Sequence, residues 1–460
     1  MSRVVPTKLT SYSPLSIGVS NKNFEISYAS IIPANSSSST RFTPSGTNRI
    51  LFRVPAYQNC FLDNSRSCLS FTFSVDYNTT SAEAAGNGNI LNPHLGTPCL
   101  FKRMIIKSPN GLVIEDITDL HILNKILDTM TPATLNRHTE GLFDGDQYLE
   151  QDLTTGQKSA QNTRQRAGVK MVYYFNHGML SRSLQAYLPL HSMNGGSAGH
   201  AFSIELYLND AVNVLEKIGN GSTSTTKAYG LSEMKYNMTL LKADQSIIER
   251  FNNLANDSQE IVIPFSTYRS YTNGLSAQKS TVQISEACSD LRRVHTVILS
   301  STAQSDPGTT MPTAIVFHGG NSASDADTKV KSYQLQVGSK FIYNEPIECV
   351  SDNFELLNQV INASFAKGDI KATKLDPTGG VIKFENDHFT LTSTFAYENP
   401  SQFTNGISLG SLPLVMKLEL ANTPGADKYL LTFSELGYNL VIKDGYLTVR
   451  DSKDISDFGY

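Results

Sequence analysis

Tryptophan is absent and cysteine is scarce: Cys60, Cys68, Cys99, Cys288 and Cys349 are odd in number, scattered, and never spaced as CxxC. Neither a disulfide framework nor a zinc site is indicated, and buried reduced thiols are expected. Charge of either sign is also limited, with 38 basic against 42 acidic residues and a net charge of -4. Such a chain lacks the extended basic face needed to grip nucleic acid along its length, so any such contact has to be local. No window approaches the roughly 18 uninterrupted apolar residues of a membrane-spanning helix. The opening MSRVVPTKLTSYSPL has no apolar core or small-residue cleavage site of a secretory signal, so we expect a chain that is not exported by the usual route. The sequons at Asn35, Asn78, Asn220, Asn237, Asn256 and Asn362 carry little meaning in that context.

Catalytic signatures are missing too. There is no GxxxxGK, no GxGxxG after a strand and no HExxH. GxSxG occurs at Gly195 to Gly199 and at Gly406 to Gly410, but a nucleophile elbow needs a helix after it, and here a strand pattern follows both times. The histidines, His177, His191 and His200 among them, are isolated from any ligand set. Asp144-Gly145-Asp146 begins like a calcium loop but lacks the later acidic ligands and closing Glu. The glycine pairs at 195, 319 and 379 read as turns between strands, and Lys102-Arg103 and Arg292-Arg293 as solvated strand positions. No catalytic, cofactor-binding or metal residue is expected, and no small-molecule substrate.

What the chain does contain is a long run of short strands. Its 460 residues exceed one hydrophobic core, and 40% apolar content is ordinary for a globular protein, so two domains are expected. Residues 1 to 47 are rich in Ser, Thr, Asn and Pro and read as an arm outside the core; Arg3, Lys8 and Lys22 occur there with no acid in the first 24 residues. From Ile50, period-two alternation marks half-buried strands: ILFRV, LSFTFSV at 69 to 75, LFKRMII at 100 to 106, LVIEDI after the turn Ser108-Pro109-Asn110-Gly111, VKMVYYF, SLQAYLPL and HAFSIELYL at 200 to 208. Leu120, Leu123 and Leu127 have helical spacing, with Thr118 or Asp119 as the cap. Residues 76 to 98 and 131 to 168 are polar excursions.

The stretch SEMKYNMTLLKA at 232 to 243 recurs as SELGYNLVIKD at 434 to 444, and the segments before it recur in the same order. EIVIPF at 260 to 265 stands where ILFRVP stood, and RVHTVIL at 293 to 299 answers LSFTFSV. YQLQV at 333 to 337 answers LFKRMII, SDNFELLNQVI at 351 to 361 answers the helix, and LVMKLEL at 414 to 420 answers HAFSIELYL. HFTLTSTF at 388 to 395 adds a strand, and 300 to 331 is a polar insertion like 76 to 98. We therefore expect an all-β chain of two tandem jelly-roll β-sandwiches, each with a short helix in a long connection. The expected division is an arm (1 to 47), a first jelly roll (48 to 244), a helical joint (245 to 259), a second jelly roll (260 to 450) and a tail (451 to 460).

This pattern resembles the double jelly-roll major capsid proteins of the polinton, virophage and adenovirus-like double-stranded DNA viruses. YQLQVGSKFIYNEPI at 333 to 347 and SLQAYLPL leading into FSIELYLNDA and YGLSEMKYNMTLLKAD are similar to them in style. The resemblance implies a virion protein forming pseudo-hexameric homotrimers that tile an icosahedral shell, without cofactors. It implies contact with neighbouring capsomers and with penton and minor capsid proteins. Long connections such as 76 to 98, 131 to 168 and 300 to 331 are expected to project outward. The N-terminal arm and the tail are expected beneath the shell or between capsomers, the arm against nucleic acid or an internal membrane. The sequence leaves open a glycan-binding tandem β-sandwich and a two-jelly-roll copper enzyme.

Overall fold

A computed structural model describes residues 24–37, 40–76, 89–92, 95–130, 155–182, 184, 186–193, 199–217, 228–249, 260–301, 317–319, 328–348, 389–395, 398–399, 402–403, 406–410, 412–443 and 445–451. Eight strands build the first sandwich: β1 (Phe24–Ile31), β2 (Arg49–Pro55), β3 (Cys60–Val75), β4 (Phe101–Lys107), β5 (Val113–Thr118), β6 (Val169–Tyr173), β7 (His200–Leu208) and β8 (Tyr229–Ala243). They form two antiparallel sheets in the orders β1-β8-β3-β6, with the short strand Leu188–Pro189 also on β3, and β2-β7-β4-β5. The second sandwich has β9 (Ile261–Gly274), β10 (Lys279–Ile284), β11 (Leu291–Ser300), β12 (Val330–Val337), β13 (Lys340–Phe341), β14 (Ile347–Glu348), β15 (Leu391–Thr394), β16 (Leu414–Leu420), β17 (Lys428–Lys443) and β18 (Tyr446–Asp451). Its sheets run β9-β17-β11-β15, with β18 also on β17, and β10-β16-β12-β13, with β14 also on β12. Each sandwich is thus a jelly roll, and the second repeats the strand order of the first.

Alternation decides which side chains meet between the sheets. Ile50, Phe52 and Val54 on β2, Leu69, Phe71, Phe73 and Val75 on β3, and Phe202, Ile204, Leu206 and Leu208 on β7 are all buried. In the second copy Val294, Met416, Leu418, Leu420, Leu436 and Leu440 are likewise buried, and the apolar cores of the two sandwiches join in one cluster.

The structure corrects the sequence reading at the start of each copy. Residues 1 to 47 do not all lie outside the core, because Phe24–Ile31 pairs along the whole end of β8, Phe24 opposite Ala243 and Ile31 opposite Tyr236. Phe42 is buried and bridges Leu231. Ile261–Gly274 therefore answers β1, and β10 answers β2. Both strands are edges whose pattern misleads: β1 turns Ser27 and Ala29 inward and Ile26 and Tyr28 to solvent, while β10 offers only Val282 and Ile284 to the core. At the far end Asp451 belongs to β18, where its carboxylate accepts the Ser289 amide at 3.0 Å, so the tail begins one residue later.

Helix α1 (Leu120–Met130) lies where its spacing placed it. The carbonyl of Asp119 accepts the amides of Ile122 and Leu123 at 2.9 and 3.1 Å. A second helix, α2 (Thr155–Ala167), falls inside the polar excursion and has no apolar face to announce it. It docks through amides instead: Asn162 donates to the Asn89 carbonyl at 2.6 Å, and Gln165 accepts from the Leu91 amide at 2.8 Å. Residues 245–249 of the joint are helical, with Ile247 and Ile248 buried. The helix at 351 to 361, most of 300 to 331 and the Asp144-Gly145-Asp146 loop lie outside the described residues.

Because β1 and β3 run antiparallel to β6 and β8, the connections 76 to 100, 119 to 168 and 209 to 228 all leave one end of the first sandwich. The Tyr229 hydroxyl helps close that end by donating to the Asn209 carbonyl at 2.6 Å. Tyr229→Phe is expected to cost about 1–2 kcal/mol, since a buried acceptor loses its partner. A lowered urea midpoint with an unchanged slope would register it; an unchanged midpoint would show that the hydroxyl contributes nothing.

Candidate functional site

The two sandwiches meet edge to edge, and that seam holds the most unusual chemistry among the described residues. Strand β9 of the second sandwich packs against β5 and the 3-10 turn Gly178–Leu180 of the first. Thr267 donates its hydroxyl to Glu115 Oε1 at 2.5 Å, and the Met179 amide donates to Glu115 Oε2 at 3.3 Å. Thr118 and Ser270 share a hydroxyl hydrogen bond of 2.5 Å across the same line. The His177 ring stands edge-on to Tyr268, 5.7 Å between centroids, and its Nε2 lies 2.5 Å from Asn124 Oδ1. Lys125 of α1 places its ammonium 4.2 Å from the ring centre of Phe317, which belongs to the second sandwich.

Gly178 shows how tightly the turn closes on the seam. Its φ is +68°, and a Cβ there would fall 1.9 Å from Glu115 Oε1, so no side chain fits without expelling the carboxylate. Burial raises the Glu115 carboxyl to about 7, against the lowering effect of its bonds from Thr267 and Met179. Burial lowers the imidazole of His177 to about 4, although Glu435 nearby favours its charged form. At neutral pH His177 is therefore uncharged while Glu115 sits near its midpoint.

A second buried cluster lies close to the seam. Arg293 Nη1 meets Glu435 Oε2 at 3.0 Å with both side chains almost fully buried. Arg292 donates to Asp290 at 3.0 Å and to Ser266 of β9 at 2.8 Å. The pair Arg292-Arg293 is thus not a solvated strand position. Lys102-Arg103 is closer to that expectation: Arg103 pairs with Asp116 at 2.5 Å and Lys102 reaches Asp210 at 3.7 Å, both at partly exposed sites.

The GxSxG stretch at Gly406 to Gly410 is a strand connection. Ile407 bridges Leu291, the Gly406 amide donates to Asp290 at 2.6 Å, and a Cβ on Gly406 would fall 2.0 Å from the Leu291 carbonyl oxygen. A strand, β16, follows it. Most of the first GxSxG lies outside the described residues, and β7 follows that one. His191 packs edge-on to Phe61 at 4.9 Å, His295 lies 3.1 Å from Thr392, and His177 lies against Asn124 and Tyr268. Among the described residues no three His, Cys, Asp or Glu side chains gather as metal ligands.

The register marks in the final strands coincide. Tyr236 pairs with Ile31 and Tyr438 with Phe265, which puts the two tyrosines at the same level of β8 and β17. Their neighbouring glutamates diverge. Glu435 is buried against Arg293, whereas Glu233 sits at a β-bulge with φ 52° and accepts the Thr72 hydroxyl at 3.0 Å.

No protein-family model and no curated protein sequence matches the chain. Solved structures do. PBCV-1 VP54, as fitted into a cryo-EM reconstruction of the virophage Sputnik, aligns with a TM-score of 0.60 at 10% identity, covering 94% of this chain and 98% of its own. A chain of the PBCV-1 virus capsid gives 0.58 at 11% identity, with 94% and 98% covered. A chain of the Sputnik virophage cryo-EM structure gives 0.56 at 12% identity, with 100% and 96% covered. The chain has the double jelly-roll fold of these capsid structures.

Proposed function

We propose that the chain is the major capsid protein of an icosahedral double-stranded DNA virus, acting as a structural component of the virion and not as an enzyme. The observation that carries this reading is the end-to-end likeness to chains of the PBCV-1 and Sputnik particles, with both jelly rolls matched. Two similar lobes per chain suit a trimer with six lobes, which tiles a nearly hexagonal lattice. The seam fits that role, since a rigid joint between lobes keeps them at the spacing a lattice requires.

On this reading the connections 76 to 98, 131 to 168 and 300 to 331 crown the capsomer. The chain meets itself, neighbouring capsomers, and penton and minor capsid proteins. Residues 1 to 23 and 452 to 460 are the segments assigned to contacts with nucleic acid, an internal membrane or adjacent capsomers. Removing both without changing assembly would refute that last assignment.

Native mass measurement at micromolar concentration tests the reading. A stable trimer of about 151 kDa, three times the chain mass of 50.4 kDa, is expected, with particles of hexagonal outline by electron microscopy. A clean monomer would refute it. No observation in the fold favours the glycan-binding or copper-enzyme alternatives.

A further inference from the structure

The seam between the lobes is wider than the two edges that begin it. Tyr268, Glu435 and Arg293 lie side by side across β9, β17 and β11, and the next row on the same face is Ser270, Phe433, His295 and Thr392, the last on β15. All but Ser270 are buried. This face is turned to the first sandwich, since Tyr268 meets the His177 ring and Ser270 the Thr118 hydroxyl.

Two imidazoles therefore flank the Arg293 and Glu435 pair, His177 from the first lobe and His295 from the second, and the Glu435 charge acts on both. Both rings are buried. His295 Nδ1 lies 3.1 Å from Thr392 Oγ1, and its Nε2 is enclosed without a hydrogen-bond partner among the described residues. A further proton on either ring adds a cation to a dry space whose carboxylate, Glu435, already serves Arg293 at 3.0 Å.

We propose that the seam is an acid-released joint, in which protons taken up by His177 and His295 part the two lobes before either sandwich unfolds. Neighbouring groups set the limits of the effect. His177 faces Asn124 of α1, Tyr268 of β9 and Glu435 of β17, with Lys125 beside Asn124 held over Phe317. His295 faces Thr392, Glu435 and Arg293. Glu435 favours both charged forms, but burial outweighs it and holds each imidazole at about 4 until opening restores an ordinary value near 6.5. Their contribution to the closed seam is thus complete above 6.5 and is lost as pH falls toward 4. Glu115 and Asp119, seam carboxyls raised by burial, act the other way and favour closure in acid. Two imidazoles against Glu115 leave a net loosening of roughly tenfold between pH 7.5 and 5. The joint belongs to the single chain and goes beyond the capsid reading; in a shell it would answer to an acidic compartment.

Hydrogen exchange of the full chain, read by mass spectrometry and corrected for the intrinsic effect of pH, tests the joint. From pH 7.5 to 5, exchange in peptides spanning Gly178–Leu180 and Ile261–Gly274 is expected to rise about tenfold in wild type, and further in Glu115→Gln, where the opposing carboxyl is gone. Peptides of β3 and β8 are expected to keep their protection. His177→Gln combined with His295→Asn leaves a hydrogen-bonding group in each place and is expected to abolish the rise. Should the double variant not fold, the two single variants decide, each expected to remove part of it. His191→Gln, which replaces a buried imidazole packed on Phe61 in the first lobe, is the control and is expected to respond as wild type. No rise in wild type or in Glu115→Gln overturns the joint, as does an equal rise in β3 and β8, which means unfolding of the whole chain. A double variant that opens as wild type does, or a control that abolishes the rise, overturns it too. A monomer whose seam opens in acid keeps the joint and refutes only the trimer; a trimer whose seam ignores acid does the reverse.

Discussion

Replacing Arg293 by alanine is expected to cost the folded chain about 3–5 kcal/mol, because it strands a carboxylate in the interior. The Arg293 and Glu435 side chains are only 7% and 5% exposed, and their 3.0 Å contact joins neighbouring strands of one sheet. Burial alone would raise the Glu435 carboxyl; Arg293 and then Arg292 outweigh it and hold the group below the usual carboxylate range. With Arg293 gone, Arg292 is a poor substitute, since Asp290 already engages it at 3.0 Å. The paired substitution Arg293→Met with Glu435→Leu removes both charges and is expected to return within about 1 kcal/mol of wild type. Urea midpoints decide the matter: a single alanine variant as stable as wild type would show that the pair is not what compensates Glu435. A lowered carboxylate stabilises above its unfolded value and loses that contribution as pH falls, so the alanine defect is expected to shrink in acid.

Glu115→Gln is expected to stabilise the chain at pH 8 by roughly 3 kcal/mol, the equivalent of a carboxyl raised from 4.5 to about 7. The sign follows from which state holds the proton. The folded chain keeps Glu115 protonated to higher pH than the unfolded chain does, so its contribution is fully present below 4.5 and is lost as pH rises through 7. Above that, a charge faces the Thr267 hydroxyl and the Met179 amide, neither of them a cation. Glutamine keeps the shape and one acceptor, and its amide can donate to the Thr267 hydroxyl. His121, His177, His191 and His295 are all lowered by burial, and their contributions are lost in the opposite direction, as pH falls from 6.5. The informative quantity is therefore the difference in urea midpoint between wild type and Glu115→Gln across pH 4 to 8, measured in one buffer series. A flat difference would show that Glu115 does not titrate in this range. A widening one would also make the seam the alkaline weak point of the molecule.

The jelly-roll repeat was legible because its central strands are buried on one face and polar on the other, which writes the period into β3, β7, β8 and their counterparts. SEMKYN and SELGYN coincide in register, Tyr236 opposite Ile31 and Tyr438 opposite Phe265, although Tyr236 is buried against Phe52 and Phe175 while Tyr438 is half-buried beneath Arg269. The edges were not legible. An edge strand has a neighbour on one side only, so β1 tolerates Ile26 and Tyr28 facing outward, and its pattern reads as a polar arm. Helix α2 escaped because its docking face is made of Asn162 and Gln165, and an amide that satisfies a backbone group has no hydropathic signature.

The seam escaped for a deeper reason. Glu115, Gly178 and Thr267 are far apart in the chain, and each is ordinary in its own segment. Only when β9 is laid against β5 does Glu115 lose its water and Gly178 become the sole residue that fits above it. Local alternation and the order of segments are properties of the chain, so fold class, duplication and the lack of a catalytic signature could be read from it. Burial of a particular carboxylate and pairing of Arg293 with Glu435 depend on which surfaces meet after folding. Desolvation and ion pairing act through space, and the repeat that announces two lobes does not say which of their edges touch.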